Sequence, residues 1–499
     1  MRQSLLLGCA AALALSGCAI GPDFHRPAVP GNAGYQSTAL PGSVHGTSNS
    51  GAAGAAQTLT VGADLSGEWW KALGAPQLDA LVARALQNNP SLKSAQASLK
   101  AAYEQTKVAG APLLPSISAS FNPTRNKTSK ALSPVPGNNE MLYNLHTLQL
   151  NISYQPDLWG GLRRQVENQA AQAEMQRFQL IATTNTLVNT LIVTLITQSS
   201  VNAQIEATKD IIATQQKLLD VMEKQYRLGD IAEAQVLAQK AALAQAQATL
   251  PPLHLQAEQA HDQIAALVGV TPNEMLPEIP LETYRLPATL PVSLPSALLS
   301  QRPDIRAAES QMHSASAQVG VAIANRLPNV QLSATPGQAI NAMSQFFTPG
   351  YGNWSIGAMV AQPIFQGFEL MHLERQARDN LLAATEQYKN TVLTSMQNVA
   401  DTLHALQDDS DALTISAANE DAAVRSLRIS QSQMSYGDIS PILLQAAVQI
   451  ELEARLNLIQ AKATRFTDSV ALFQALGGGW WHRNDTAMKV PSTDWHAAF

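Results

Sequence analysis

Thr147-Leu148-Gln149-Leu150-Asn151-Ile152-Ser153-Tyr154 alternates apolar and polar side chains without a break. A period of two places one kind of side chain on each face of a β-strand. The alternation also runs through 116–122, where Ile117, Ala119 and Phe121 stand against Ser116, Ser118, Ser120 and Asn122. Further on, Val330, Leu332 and Ala334 alternate with Gln331, Ser333 and Thr335, and Trp354, Ile356, Ala358 and Val360 with Ser355, Gly357, Met359 and Ala361. Each segment has the roughly nine to ten residues that a tilted strand needs to cross a bilayer. Two hairpins are predicted, about 116–156 and 329–363, with loops around 125–146 and 336–353. A soluble sandwich would need more strands to cover its apolar face. Four strands cannot close a membrane barrel, whose smallest kind has about eight. Lipid does not tolerate open strand edges. The pattern therefore predicts one barrel shared between several chains.

The hairpins belong to a larger repeat. Asn89-Pro90-Ser91-Leu92 has its counterpart in Arg302-Pro303-Asp304-Ile305, and Leu114-Pro115 in Leu327-Pro328, both 213 residues later. Pro156 and Gly160 match Pro363 and Gly367 at 207, and Gly229-Asp230-Ile231 matches Gly437-Asp438-Ile439 at 208. Two repeats, 76–269 and 295–478, are joined by a Pro-rich linker at 270–294. Between strands and turns neither Pro nor Gly interrupts 162–226 or 368–436, so a single helix spans each stretch. At 1.5 Å per residue the first is roughly 97 Å long. Shorter helices are predicted at 77–110, 231–268, 295–326 and 441–476, two stacking to match one long helix. Each long helix ends at a glycine turn, Tyr226-Arg227-Leu228-Gly229-Asp230 or Tyr436-Gly437-Asp438, with the Asp expected to cap the next helix. The turns form the far end, about 100 Å from the strands.

At the other end of the chain, Arg2, an apolar run from Leu5 to Leu15, and Leu15-Ser16-Gly17-Cys18 read as a secretory signal over 1–17. The last four residues resemble a bacterial lipobox, which implies cleavage before Cys18 and a diacylglycerol and N-acyl lipid on it. Ala19 after it implies outer-membrane sorting. Cleavage removes Arg2 and Cys9, leaving 31 basic and 38 acidic side chains, net −7, and no intrachain disulfide. Residues 18–75 are expected to be a lipid-anchored tether, flexible over 31–60 where Gly, Ala, Ser and Thr dominate. Residues 479–499 are expected to be a C-terminal equatorial tail. Beyond the signal no spanning helix is expected.

Charged residues are 14% of the 499, against about 25% in soluble domains, and the net charge is −6. Nucleic acid is not an expected partner. Neither a zinc-hydrolase motif, a phosphate loop nor a nucleophile elbow occurs, so no catalytic site is read. His254 and His261, and the cluster Asp408, Asp409, Asp411, are read as solvated helix faces rather than metal sites. Trp69-Trp70 and Trp480-Trp481 are read as packing anchors.

Taken together, the landmarks Gly17-Cys18, Gly21-Pro22-Asp23-Phe24, Arg26-Pro27, Trp69-Trp70, Leu78, Leu81, Ala85-Leu86, Asn89-Pro90, Tyr154, Asp157-Leu158-Trp159-Gly160, Arg302-Pro303-Asp304-Ile305-Arg306, Ala308-Glu309 and the two glycine turns resemble the TolC/OprM-like outer membrane factors, in their NodT-like lipoprotein branch. The resemblance covers essentially the whole mature chain. It implies a homotrimer, with twelve strands in one β-barrel, twelve helices in a periplasmic α-barrel, and a mixed equatorial girdle. It also implies a passive exit duct, in outer membrane lipid, that docks on a periplasmic adaptor and an inner-membrane transporter. On this chain the tip and gate residues would be Tyr226, Arg227, Gly229, Asp230, Tyr436, Gly437 and Asp438. The barrel–helix junction would be Asp157, Trp159, Gly160 and Arg163. Two departures stand out: Leu443 and Gln445 occupy places where relatives carry acids, and Gly161 a place where Arg is common, with Arg163-Arg164 to compensate. The expected cargo is drug-like or other small toxic compounds. A type I protein-secretion duct is the alternative, and a non-channel envelope lipoprotein the more distant one.

Overall fold

The computed structural model describes residues 19–27, 34–35, 42–48, 50–127 and 142–483. The signal 1–17, Cys18, residues 484–499 and most of the first hairpin loop lie outside the described residues.

Strands β1 (Ser43–Val44) and β2 (Gln57–Val61) open the described fold. The first repeat follows as α1 (Pro76–Asn88), α2 (Pro90–Gly110), β3 (Ser116–Lys127), β4 (Leu142–Tyr154), α3 (Gly161–Leu228), α4 (Glu233–Ala248) and α5 (Leu250–Val268). After β5 (Thr289–Val292) the second repeat runs α6 (Pro295–Gln301), α7 (Pro303–Ala324), β6 (Asn329–Ile340), β7 (Gly352–Ala361), α8 (Glu369–Tyr436) and α9 (Pro441–Ala475).

Three helices expected to be continuous are broken, each beside proline. Asn89 ends α1 and caps α2, its Oδ1 accepting the Leu92 amide at 3.1 Å, with Pro90 in the first turn where its missing N–H costs nothing. Arg302-Pro303 separates α6 from α7 in the same way, and Pro251-Pro252 forces a new start after Thr249. The stretch equivalent to α4 and α5 in the second repeat holds no such proline, and α9 runs unbroken for 35 residues.

The expected flexible tether is corrected over 42–61. β1 pairs antiparallel with β2, and β2 lies parallel to β5, Leu59 opposite Leu290 and Val61 opposite Val292. This sheet joins the main core. Trp69, stacked on Phe473 at 5.0 Å, packs there with Leu191 and Leu195 of α3, Leu403 and Leu406 of α8, and Phe466 of α9. α3 does hold an 18-residue stretch with the hydropathy of a membrane span; more than half of it is buried in the protein, as a core helix requires.

The second sheet is antiparallel in the order β3-β4-β6-β7, with Ile117 opposite Ile152, Ile152 opposite Ala334, and Ala334 opposite Ile356. Its register refines the repeat. Val330 and Val360 pair in the second hairpin as Ile117 and Ile152 do in the first, which fixes the β4-to-β7 step at 208 residues. The same step carries Gly160 onto Phe368, both with left-handed backbone (φ 74° and 66°), rather than onto Gly367.

Candidate functional site

The β3-β4-β6-β7 sheet has two unlike faces. On one, Ile117, Phe121, Leu150, Leu332, Trp354, Ile356 and Val360 are exposed, the tryptophan and Ile356 by three-quarters of their surface. On the other, Gln149 donates to Asn151 at 2.8 Å, Asn151 to Ser120 at 3.2 Å, and Gln331 to Ser153 at 3.1 Å. Such a sheet separates an apolar medium from water.

Between β4 and α3 the chain must turn from strand to helix, and Asp157 fixes that turn. Its carboxylate accepts the Leu162 and Arg163 amides, both at 3.0 Å, and pairs with the Arg163 guanidinium at 3.2 Å. It thereby satisfies two of the free amides at the helix N-terminus. Trp159 donates Nε1–H to the Pro328 carbonyl at 2.7 Å, tying the junction to the start of β6. The second junction lacks both devices: Ile364, Phe365 and Phe368 stand mostly exposed.

Arg164 serves another purpose. Almost wholly buried, it donates to the Ile20 carbonyl at 3.2 Å and to Asp23 at 2.7 Å, and pairs with Glu167 at 2.8 Å. Glu167 meets His313 at 2.8 Å, and His313 stacks on Phe24. Burial pushes the Glu167 carboxyl up, but the hydrogen bonds from His313 and Arg164 outweigh it and hold the carboxyl below its usual range. The segment 19–27 is thus seated between α3 and α7 at the junction. Sequence reasoning singled out Gly21-Pro22-Asp23-Phe24 and Arg26-Pro27 without seeing this seat.

The tips are helix–turn–helix units. Gly229 (φ 84°) and Gly437 (φ 81°) take the left-handed cap, and the Asp230 and Asp438 amides return to the Gln225 and Gln433 carbonyls at 3.0 and 2.9 Å. Neither Asp caps the next helix; α4 and α9 begin three residues later, after Ala232 and Ser440. Tyr226, Arg227, Asp230, Tyr436 and Asp438 are exposed there. Behind them Leu218, Leu219, Met222, Val236 and Leu444 join both hairpins in one apolar cluster. The tips lie about 100 Å from the junction, the length of a 68-residue helix.

Among the described residues no three His, Cys, Asp or Glu side chains gather as metal ligands. His261 faces the Pro272 carbonyl at 3.1 Å. The Asp408, Asp409, Asp411 cluster is no uniform solvated face, since Asp411 pairs with His45 at 2.9 Å while Asp409 turns inward against Asp468. Trp69 and Trp70 are buried, and Trp480 and Trp481 donate to the Gln301 carbonyl and to Asp64.

The sequence pattern of the outer membrane efflux protein family matches residues 81–270 and 294–478, one block on each repeat. The chain belongs to the outer membrane efflux protein family. Relatives of this family include the pyoverdine export outer membrane protein OpmQ of Pseudomonas aeruginosa, 28% identical over 83% of this chain and 87% of that one. The toluene efflux pump outer membrane protein TtgF of Pseudomonas putida is 26% identical over 95% and 96%. Among solved structures, the outer-membrane channel OprN superposes with a TM-score of 0.81 at 25% identity, covering 93% of this chain and all of that one. The Campylobacter jejuni CmeC channel superposes at 0.83 and 22% identity, covering 94% and 97%, and so shares the fold. This member of the family is therefore an outer membrane efflux channel that extends into the periplasm.

Proposed function

We propose that three copies form one duct, a twelve-stranded barrel in the outer membrane continued by a twelve-helix barrel, and that it passes small compounds outward without chemistry of its own. The observation that carries this reading is the four-stranded sheet: β3 and β7 are its two outer strands, nothing among the described residues covers its apolar face, and four strands cannot close. The exposed Ile364, Phe365 and Phe368 belong at the seam between copies. The tip residues Tyr226, Arg227, Gly229, Asp230, Tyr436, Gly437 and Asp438 meet a periplasmic adaptor, which links the duct to an inner-membrane transporter. Cys18 carries the lipid anchor, consistent with the seat of residues 19–27 beside the junction. The relatives named for pyoverdine, toluene and antibiotic export favour small-molecule cargo over protein.

The repeat gives the seam a register. Within one copy Ser153 pairs with Ser333. The steps that relate the hairpins, 208 residues for β4 to β7 and 213 for β3 to β6, turn this pair into Ala361 opposite Ser120 of a neighbouring copy. The double variant Ser120→Cys, Ala361→Cys should therefore yield a disulfide-linked trimer under mild oxidation. Pairing Ala361→Cys with Ser118→Cys or Asn122→Cys should cross-link poorly, because a two-residue offset sets the partners about 7–8 Å apart, beyond the reach of a disulfide. A monomer at every pairing, running alone in detergent, would overturn the shared barrel.

A further inference from the structure

The two long hairpins that reach the tips share one plan but differ in charge at two layers of the helix–helix seam. A step of 208 residues carries α3 onto α8, and α4 with α5 onto α9. In the first hairpin Val201 and Ala260 are buried, and Ile212 packs with Leu243 in the tip cluster. The same step turns Val201 and Ala260 into Asp409 and Asp468, and Ile212 and Leu243 into Glu420 and Glu451. The second hairpin thus carries two carboxyl pairs where the first carries apolar pairs.

In each pair one buried carboxyl oxygen has no donor. Asp409 faces Asp468 of α9 within hydrogen-bonding reach, and its Oδ2 is buried with no N–H or hydroxyl donor. The nearby charges are Arg465 and Asp468 from α9 and Asp408 from α8. Arg465 spends its own N–H groups on the carbonyls of His45, Ala53, Ala55 and Leu406. Glu451 is 6% exposed and its Oε2 likewise has no partner. Around it stand Glu420 from α8, Asp210 from α3 and Arg455 from α9, the last already paired with Asp210 at 3.1 Å. For a buried carboxyl oxygen beside another carboxyl, the hydrogen that can satisfy it is the proton on one of the two.

We propose that the α8–α9 hairpin is a proton-responsive seam, closed when each carboxyl pair holds a proton and loosened when the pairs ionise and repel. Burial, then Asp468, pushes the Asp409 carboxyl up to about 7, with Arg465 opposing. Burial also raises Glu451, against Arg455 and with help from Glu420 and Asp210. An acid whose pKa is higher in the closed state holds its proton more tightly there. For Asp409 that stabilisation is complete near pH 4, where the opened carboxyl titrates, and is lost as pH rises to about 7. Over that window opening becomes about tenfold easier per pH unit for each proton. Loosening α8 from α9 would also relax the segment 43–55 held by Arg465.

The test is amide hydrogen exchange on the full-length protein in detergent at pH 5, 6 and 7, corrected for the intrinsic pH dependence of exchange. The first hairpin is the internal control. Protection in α8 and α9 around Asp409 and Asp468 should fall about tenfold per pH unit relative to the equivalent amides of α3, α4 and α5, and around Glu451 it should fall in the same direction. The double variant Asp409→Asn, Glu451→Gln should remove that difference. Equal pH responses in the two hairpins of the unaltered protein, or an undiminished difference in the double variant, would overturn the proposal.

Discussion

Arg465→Met is expected to lower stability by about 3–5 kcal/mol and to release residues 43–55 from the body of the protein. Arg465 has no exposed surface, and its guanidinium donates to Ala53 at 3.0 Å, Ala55 at 3.2 Å, His45 at 3.3 Å and Leu406 at 3.4 Å. Three of these acceptors lie on the N-terminal segment and the fourth on α8. Burial pulls the Arg465 guanidinium below its ordinary pKa, and the neighbouring Asp409 charge partly restores it. Met keeps the aliphatic bulk but offers no hydrogen, so the buried contacts to Ala53 and Leu406 lose their donor, at about 1–3 kcal/mol for each carbonyl left dry, and the partly buried contacts to His45 and Ala55 are lost with them. Denaturant unfolding measures the loss, and limited proteolysis within 43–55 reports the release. A variant as stable and as protease-resistant as the parent would show that the sheet of β1, β2 and β5 holds this segment unaided.

The second large effect is expected at Gly320→Leu. Gly320 lies on α7, where an added Cβ would sit 2.7 Å from the Ile20 carbonyl and 2.8 Å from Arg164 Cγ. Gly21 (φ 107°) faces it so closely that a Cβ there would meet the Gly320 Cα at 2.5 Å. The two glycines let the N-terminal segment pass directly over the helix, and neither position has room for a side chain. Leu favours the helix itself, so the damage should be local: overpacking of about 1–3 kcal/mol, with Ile20 lifted from the Trp159 carbonyl, now 3.0 Å away. The Ile20 amide should then exchange at least about tenfold faster while the tip cluster stays protected. Unchanged exchange at Ile20 would mean that the segment is held elsewhere.

These two sites also mark where the sequence becomes hard to read. The strands were legible because period-two alternation survives burial on one face only, as in 147–154, and the long helices because 162–226 and 368–436 contain neither Pro nor Gly. The glycine turns were legible for the same local reason. β1 and β2 were not: they have two and five residues and sit among Gly, Ala and Ser, and β2 finds its partner β5 more than 200 residues away. Arg465 looks like any solvated helix charge until the N-terminal segment covers it. Asp409 and Glu451 failed likewise, since only the antiparallel pairing of α8 with α9 brings each against another acid. The breaks at Asn89-Pro90 and Arg302-Pro303 did carry a readable signal, an X-Pro pair that ends one helix and starts the next.

The measurement that bears most directly on the exit-duct function is growth of a strain lacking this chain, with and without its return on a plasmid, across antibiotics, dyes, detergents and aromatic acids, its secreted proteins run beside the parent's. The expected result is hypersensitivity to several small compounds, restored by the chain, with an unchanged secreted set. Unchanged sensitivity together with a protein missing from the medium would contradict small-molecule efflux and make the duct a secretion channel.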